Sequence, residues 1–446
     1  MKTKEIKSKF KKYPKYRDSG VEWIGNIPKE WKIKKLGTLL TLISTKNHAE
    51  EQLLSITREK GVIIRDTLNA DENHNFIPDD LSNYKLLRKN QFGMNKMKAW
   101  QGSYGISKYN GIVSPAYYIY NVSSEIDPIF FHLAIRSNNY ISFFGQASDG
   151  VRIGQWDLSK ERMKKISFVF PSLSEQTAIA NFLDKKTKEI DQVISAKEKL
   201  ISLLQERKQI VIQNAVTHGL NPNVKLKDSG VEWIGMIPEH WEVKKLKFLG
   251  SIYAGLTGKN GGDFFKEEKI NLKKFIPFIN ICNNMVIYNQ QMQYVSVSEN
   301  ENQNIVKKND ILFLMSSETF EDIGKCSLYL GNKEVFLNSF CKGFRISNKK
   351  IYPVYINFLL NSNIFRDYFA ITARGFTRIN VKQEYINNAF VLIPPISEQT
   401  AIASFLDNKT KEIDQTISNQ RTLITKLKEY KQTLIDSAVT GKIKII

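Results

Sequence analysis

A chain of 446 residues with 42% hydrophobic content has apolar material for two or three domains with real cores, which argues against disorder. Its 65 Lys+Arg against 45 Asp+Glu leave a formal charge of +20, which points to a polyanionic partner, nucleic acid ahead of an anionic membrane. No apolar run reaches the ~18 residues of a membrane span, the basic N-terminus lacks the apolar stretch of a secretory signal, and three scattered cysteines with five dispersed histidines suit a reducing cytoplasm without a zinc site.

The first recognisable element is the segment DSGVEWIG at residues 18–25, trailed by Ile27-Pro28, Trp31 and Lys34-Lys35-Leu36. It returns letter for letter at residues 228–235, an offset of 210, with Trp241 and Lys244-Lys245-Leu246 behind it. Because Trp23, Trp31, Trp233 and Trp241 sit in repeated sequence, they are expected to pack rather than to read a target.

Residues 38–170 then read as mixed α/β, with a strand at 112–120 and a short buried helix at 130–137. Two of their loops mix cations, amides and aromatics in the way that phosphate and base-edge contacts require. The contact candidates are Lys96, Lys98, Trp100, Gln101, Ser103 and Tyr104 in the first loop, and Arg152 in the second.

Pro171 precedes the second repeated block, SEQTAIANFLDKKTKEIDQVIS. Nineteen of its 22 residues, 174–195, recur at 397–418. Ser174 and Ser397 are placed as N-caps, with Glu175 and Glu398 in the positive field of the helix start. Apolar residues follow at Leu183, Ile190, Ile194, Ile201, Leu204, Val211 and Ala215, steps of 7, 4, 7, 3, 7 and 4. That is a heptad seam, and the second copy keeps it from Leu406 through Ile413 and Ile417 to Ala438. Neither stripe can be buried by one helix alone, so the two are expected to pair, and a twofold-like arrangement makes them antiparallel. Phe182, Leu183, Ile190, Ile194, Phe405, Leu406, Ile413 and Ile417 are the candidates for holding partner subunits.

The second insert, 248–393, shares little sequence with the first. It is expected to carry strands at 310–315 and 389–393 and a helix at 355–368. Its loop at 372–378 matches the place of Arg152 and supplies Arg374, Thr377 and Arg378 as further contact candidates; with 13 Arg against 52 Lys, arginine in both loops stands out. The chain ends at Ile446, which maps to Asn223, while Met1 maps to Val211, so head and tail together are expected to rebuild the central linker. No phosphate-binding, methyltransferase, nucleophile-elbow or metalloprotease motif is present.

The two DSGVEWIG…W segments and the two SEQTAIA…FLD…T·EID blocks, in this order and twice over, resemble the specificity subunit of type I restriction–modification systems. Trp100-Gln101-Gly102 and the run GIVSPAY at 111–117 are similar to one class of that family's target-recognition domains. The resemblance implies an α+β chain with two mixed α/β target-recognition domains and two long helices packed as an antiparallel coiled coil in a pseudo-twofold repeat. The boundaries would be 1–170, 171–220, 221–393 and 394–446. It implies double-stranded DNA, two methyltransferase subunits and restriction (translocase/endonuclease) subunits as partners, a cytoplasmic location, and no catalysis or cofactor here. S-adenosylmethionine, ATP and Mg would belong to the partner subunits. A specificity protein of a related multi-subunit DNA-modifying system and a non-catalytic coiled-coil scaffold are the alternatives.

Overall fold

The computed structural model describes residues 10–67, 77–152, 155–289 and 292–445. The chain is mixed α+β and forms two compact units, Met1–Glu198 with Gln420–Ile446, and Lys199–Asn419. Two long helices contribute to both: α1 (Leu173–His218, 46 residues) and α2 (Ile396–Val439, 44 residues). No proline or glycine interrupts either one, and at 1.5 Å per residue each is ~65–70 Å long. Both begin one residue before the expected serine cap.

In the first unit the insert rests on a four-stranded antiparallel sheet. Its order is Leu40–Ile43, Tyr117–Val122, Phe92–Asn95, Tyr104–Ile106. Two helices, Pro128–Ile135 and Asn138–Gln146, cover it. Phe131 meets Phe92 at 5.4 Å and Phe168 at 5.2 Å, and Phe144 meets Tyr104 at 4.4 Å. The expected strand at 112–120 is two strands, Gly111–Val113 and Tyr117–Val122. Pro115 has no N–H to donate, and the Tyr117 N–H closes a turn onto the Ser114 carbonyl at 3.0 Å.

The second unit has a different sheet plan. Five strands run in the order Gly250–Ala254, Cys341–Ile346, Ile311–Leu314, Cys326–Tyr329, Val286–Ile287, and a separate four-stranded sheet holds Phe264–Phe265, Gln293–Ser296, Leu272–Ile276 and Phe336–Leu337. The expected helix at 355–368 is broken into Pro353–Leu360 and Asn363–Thr372. Asn361 turns its side-chain amide to the Cys326 carbonyl at 3.0 Å, and the Ser362 hydroxyl bonds back to Leu359 at 2.6 Å, so both compete with helical continuation.

The repeated sequence builds the same parts in each unit. Tyr16–Asp18 pairs with Asn26–Pro28, and Leu226–Asp228 with Met236–Pro238, in the same register. The Trp31 indole donates to Glu175 at 2.9 Å and the Trp241 indole to Glu398 at 3.0 Å. The fully buried Gln176 accepts from the Asp127 N–H at 3.0 Å and donates to Pro171; Gln399 accepts from Tyr352 at 2.8 Å and donates to Pro394. Each long helix is thereby locked at its first turn to the strand pair and to the start of one insert helix, Pro128–Ile135 or Pro353–Leu360. Trp23 stacks on Phe143 at 3.8 Å and Trp233 on Tyr368 at 4.7 Å, so all four repeated tryptophans pack within their units.

Each unit is finished by the far end of a long helix. In the second, Gln213 of α1 accepts from the Ile364 N–H at 3.2 Å. In the first, Asp436 of α2 takes that place, bonded to the Asn138 backbone and raised in pKa by burial. Lys431 pairs with Asp191 at 2.6 Å and Lys197 with Gln420 at 2.9 Å, so the two helical segments of the first unit run in opposite directions. In the second unit Lys208 pairs with Asp414 at 2.7 Å.

Head and tail meet in the first unit. The Lys444 N–H donates to the Lys11 carbonyl at 2.8 Å, the Tyr16 hydroxyl to the Gly441 carbonyl at 3.1 Å, and the Tyr13 hydroxyl to Glu175 at 2.6 Å. Gly441 has φ +72°, and a Cβ there would lie 2.4 Å from Pro28. Deleting residues 1–15 should therefore lower the unfolding midpoint of the first unit and leave the second unchanged. Trp31→Phe and Trp241→Phe should each destabilise their own unit by about 1.5–3 kcal/mol, the worth of a hydrogen bond to a charged group. Urea unfolding followed by hydrogen exchange in each unit measures both.

Candidate nucleic-acid interface

The first unit gathers lysines around an aromatic. Tyr118 stands on the strand Tyr117–Val122, with Lys160 Nζ 4.5 Å and Lys85 Nζ 6.0 Å from its ring centroid. Burial lowers the pKa of Lys85, and the nearby charges of Lys160, Lys46 and Lys96 lower it further. Four ammonium groups held this close repel one another, and an anion placed among them relieves that repulsion. Lys96 is steadied by Asp157 at 3.3 Å. Of these groups only Lys96 was legible as a candidate. Lys46, Lys85, Tyr118 and Lys160 come from four separate stretches of chain, with Lys85 and Tyr118 on strands of different sheets and Lys160 opening the helix Lys160–Lys164, and only the tertiary fold brings them together.

The loop after Phe92–Asn95 is held from beneath. The Arg136 guanidinium donates to the carbonyls of Gly102 (2.9 Å), Tyr104 (2.6 Å), Arg58 (2.7 Å) and Glu59 (2.9 Å). His132 Nδ1 accepts from the Ile106 N–H at 3.1 Å, so its imidazole is neutral, and burial with Arg136 beside it pushes the pKa down to about 3. In this loop Lys98 is exposed, and Trp100 and Gln101 are half-buried. Trp100 stacks on Trp156 at 5.3 Å, and Trp156 is itself 37% exposed. Ser103 and Tyr104 correct the sequence expectation. They are 2% and 0% exposed, and the Tyr104 ring, at the start of an edge strand, lies among Phe92 and Phe144. Arg152 ends the strand Ser148–Arg152, and its side chain lies outside the described part of the structure.

In the second unit Arg374, Thr377 and Arg378 are exposed on the loop after the helix Asn363–Thr372. Arg374 turns back to the carbonyls of Ile371 (2.6 Å) and Ala373 (2.8 Å), a C-terminal helix cap, while Arg378 lies over the Phe340 ring at 4.9 Å. Phe376, between them, was passed over in the sequence and is fully exposed.

The seam residues also need correction as docking candidates. Leu183, Ile190, Ile194, Leu406 and Ile417 are all under 9% exposed, and Leu406 joins the core of the second unit. Phe182 is half-buried against Phe10, Ile413 is half-buried and Phe405 is 37% exposed. The apolar side chains that α1 leaves in water are others: Val193, Leu200, Leu203 and Ile210. Their steps of 7, 3 and 7 trace a second line along the helix. Among the described residues no group of three or more His, Cys, Asp or Glu could hold a metal ion, and no helix is long and apolar enough to cross a membrane.

Residues 238–423 match the type I restriction modification DNA specificity domain. The chain is 25% identical over 213 residues to the EcoKI specificity subunit of Escherichia coli K12, a match spanning 47% of this chain and 44% of that one. It is 21% identical over 440 residues to the putative MjaX specificity subunit of Methanocaldococcus jannaschii, covering 95% and 96% of the two. Its fold is similar to that of the HsdS subunit from Thermoanaerobacter tengcongensis, with a TM-score of 0.53 at 13% identity over 94% of this chain and 98% of that one. A chain solved in a study of type I R-M assembly and conformational transition gives a TM-score of 0.69 at 12% identity, over 93% of this chain and 98% of that one.

The His132 environment has a pH consequence. Its imidazole titrates near 6.5 when unfolded and near 3 when folded. The unfolded state therefore takes up the extra proton first, and this contribution to stability is full above pH 6.5 and is lost as pH falls toward 3. His132→Gln, which keeps an acceptor for Ile106, should lose less stability than the parent between pH 7 and pH 4.5, measured by urea unfolding of the first unit.

Proposed function

We propose how this chain, which belongs with the type I restriction–modification specificity subunits and whose role is DNA sequence recognition, divides its work. Each globular unit reads one half of a bipartite double-stranded site. The helices α1 and α2 pair as an antiparallel coiled coil in a pseudo-twofold repeat and fix the length of the unread gap. The working domains are 1–170 and 221–393, with 171–220 and 394–446 as spacer helices. The observation that carries this reading is one clamp, Trp–Glu with Gln beside it, repeated under two unlike sheets. A duplicated mount with divergent heads is what two recognition tasks at a set distance require.

Phosphate attraction supplies affinity without sequence preference, and base-edge contacts discriminate at about 1–3 kcal/mol per base pair. In the first unit the lysines around Tyr118 meet phosphates, and Lys98, Gln101 and Arg152 reach bases. In the second, Thr377 and Arg378 do so. Two methyltransferase subunits dock on the helices, with the exposed line of α1 as contact surface, and restriction subunits join that core. The chain performs no chemistry itself. S-adenosylmethionine, ATP and Mg serve the partner subunits, and the assembly works in the cytoplasm.

Adding one heptad to both helices should widen the gap by about three base pairs, since ~10.5 Å of helix matches three steps of 3.4 Å. Exchanging residues 248–393 for another insert should change one half-site and leave the other. Methylome sequencing of cells carrying each variant with its partners reads both, and an unchanged gap or a change in both halves would refute the scheme. Lys85→Ala with Lys160→Ala should weaken binding to all duplexes alike and reduce the slope of log affinity against log salt by roughly two.

A further inference from the structure

The loop at 373–380 holds an aromatic ring wholly in water on a backbone hydrogen-bonded at both its ends. Phe376 is 105% exposed, so it contributes nothing to the core. Its neighbours are pinned. The N–H of Arg374 donates to the Asn380 carbonyl at 3.0 Å and that of Asn380 to the Arg374 carbonyl at 2.8 Å, closing a tight hairpin. Ser316–Ser317 pairs with Ile379–Asn380 on one side, and Asn380 Nδ2 caps the Arg378 carbonyl at 3.0 Å. Gly375 has φ +142°, and a Cβ there would lie 1.9 Å from the Arg378 carbonyl oxygen, so the turn demands glycine. Two guanidinium groups belong to the same loop, Arg378 resting over Phe340 and Arg374 bound to the helix end.

An exposed apolar ring on a hydrogen-bonded loop that also carries two cations fits a duplex whose negative charge attracts the arginines while the ring enters the base stack. We propose that Phe376 inserts at one base step of the half-site read by the second unit, unstacking it and bending the DNA there. This rests on the recognition role given above and adds to it a residue that reads deformability rather than base edges. The first copy has Gly150-Val151-Arg152 at the matching place, with no aromatic, so the distortion belongs to one half-site alone.

The test uses the full-length chain and a duplex carrying the site found by methylome sequencing, with 2-aminopurine placed in turn at each step of the second unit's half. The parent should raise the fluorescence at one step. Phe376→Ala should abolish that rise and weaken binding to this duplex by roughly 5- to 150-fold, the span of one lost base–aromatic stack. Binding to random-sequence duplex in low salt and co-purification with the methyltransferase should be unchanged, and Phe376→Trp should restore the signal. Since the side chain packs against nothing, the alanine variant folds as the parent does. Parent-like fluorescence and affinity in Phe376→Ala would overturn the proposal, as would loss of methyltransferase co-purification with DNA contacts intact, which makes the ring a protein contact. A parent that prefers no sequence at all sinks the recognition role itself, a result separable from either.

Discussion

The structure depends on a carboxylate in the first turn of each long helix. Glu175 and Glu398 sit where the helix dipole favours negative charge, and each accepts the indole N–H of a buried tryptophan. A buried indole without an acceptor is costly, so the strand pair that carries Trp31 or Trp241 has one docking position. The adjacent glutamine adds two bonds that hold the start of an insert helix to the same turn, and a third to the proline before its own helix. These groups fix the angle between rod and head without using any residue of the variable sheets. The head can therefore diverge, as the two sheet plans have, while its mounting stays constant.

Charge works in the opposite way. The excess of +20 is spread over the whole chain, yet the lysines that crowd Tyr118 come from positions 46, 85, 96 and 160. The tertiary fold, not local sequence, concentrates them. Beside this basic surface the protein uses neutral and hydrogen-bonded groups for rigidity. Arg136 spends its donors on four backbone carbonyls, and His132 stays uncharged to accept a backbone N–H.

The repeat, the long helices and the packing role of the tryptophans were legible because each rests on short-range pattern. Identical blocks need no structure to be seen, and heptad spacing states its own period. The heads were harder to read. Tyr104 looks like a contact residue beside Trp100 and Gln101, and only the strand that begins at Tyr104 turns it inward. Pro115 and Asn361 each break an element that its apolar pattern extends, because a missing donor or a competing side chain outweighs the pattern. The seam was read as apolar, and most of its residues are buried. The line left facing water, Leu200, Leu203 and Ile210 among it, lies one step away on the same helix.

The first unit is assembled from both ends of the chain, whereas the second is one unbroken stretch. On the ribosome the second unit has all its parts once the first half of α2, to Asn419, has emerged. The first must wait for the last residues, since Gly441 and Lys444 complete the site that Tyr16 and Lys11 began more than 400 residues before. During synthesis its insert stands without the Asp436 turn beneath it, a long interval in which apolar surface is open to wrong partners. A premature stop after Asn419 thus damages the unit that holds the first insert, and spares the other.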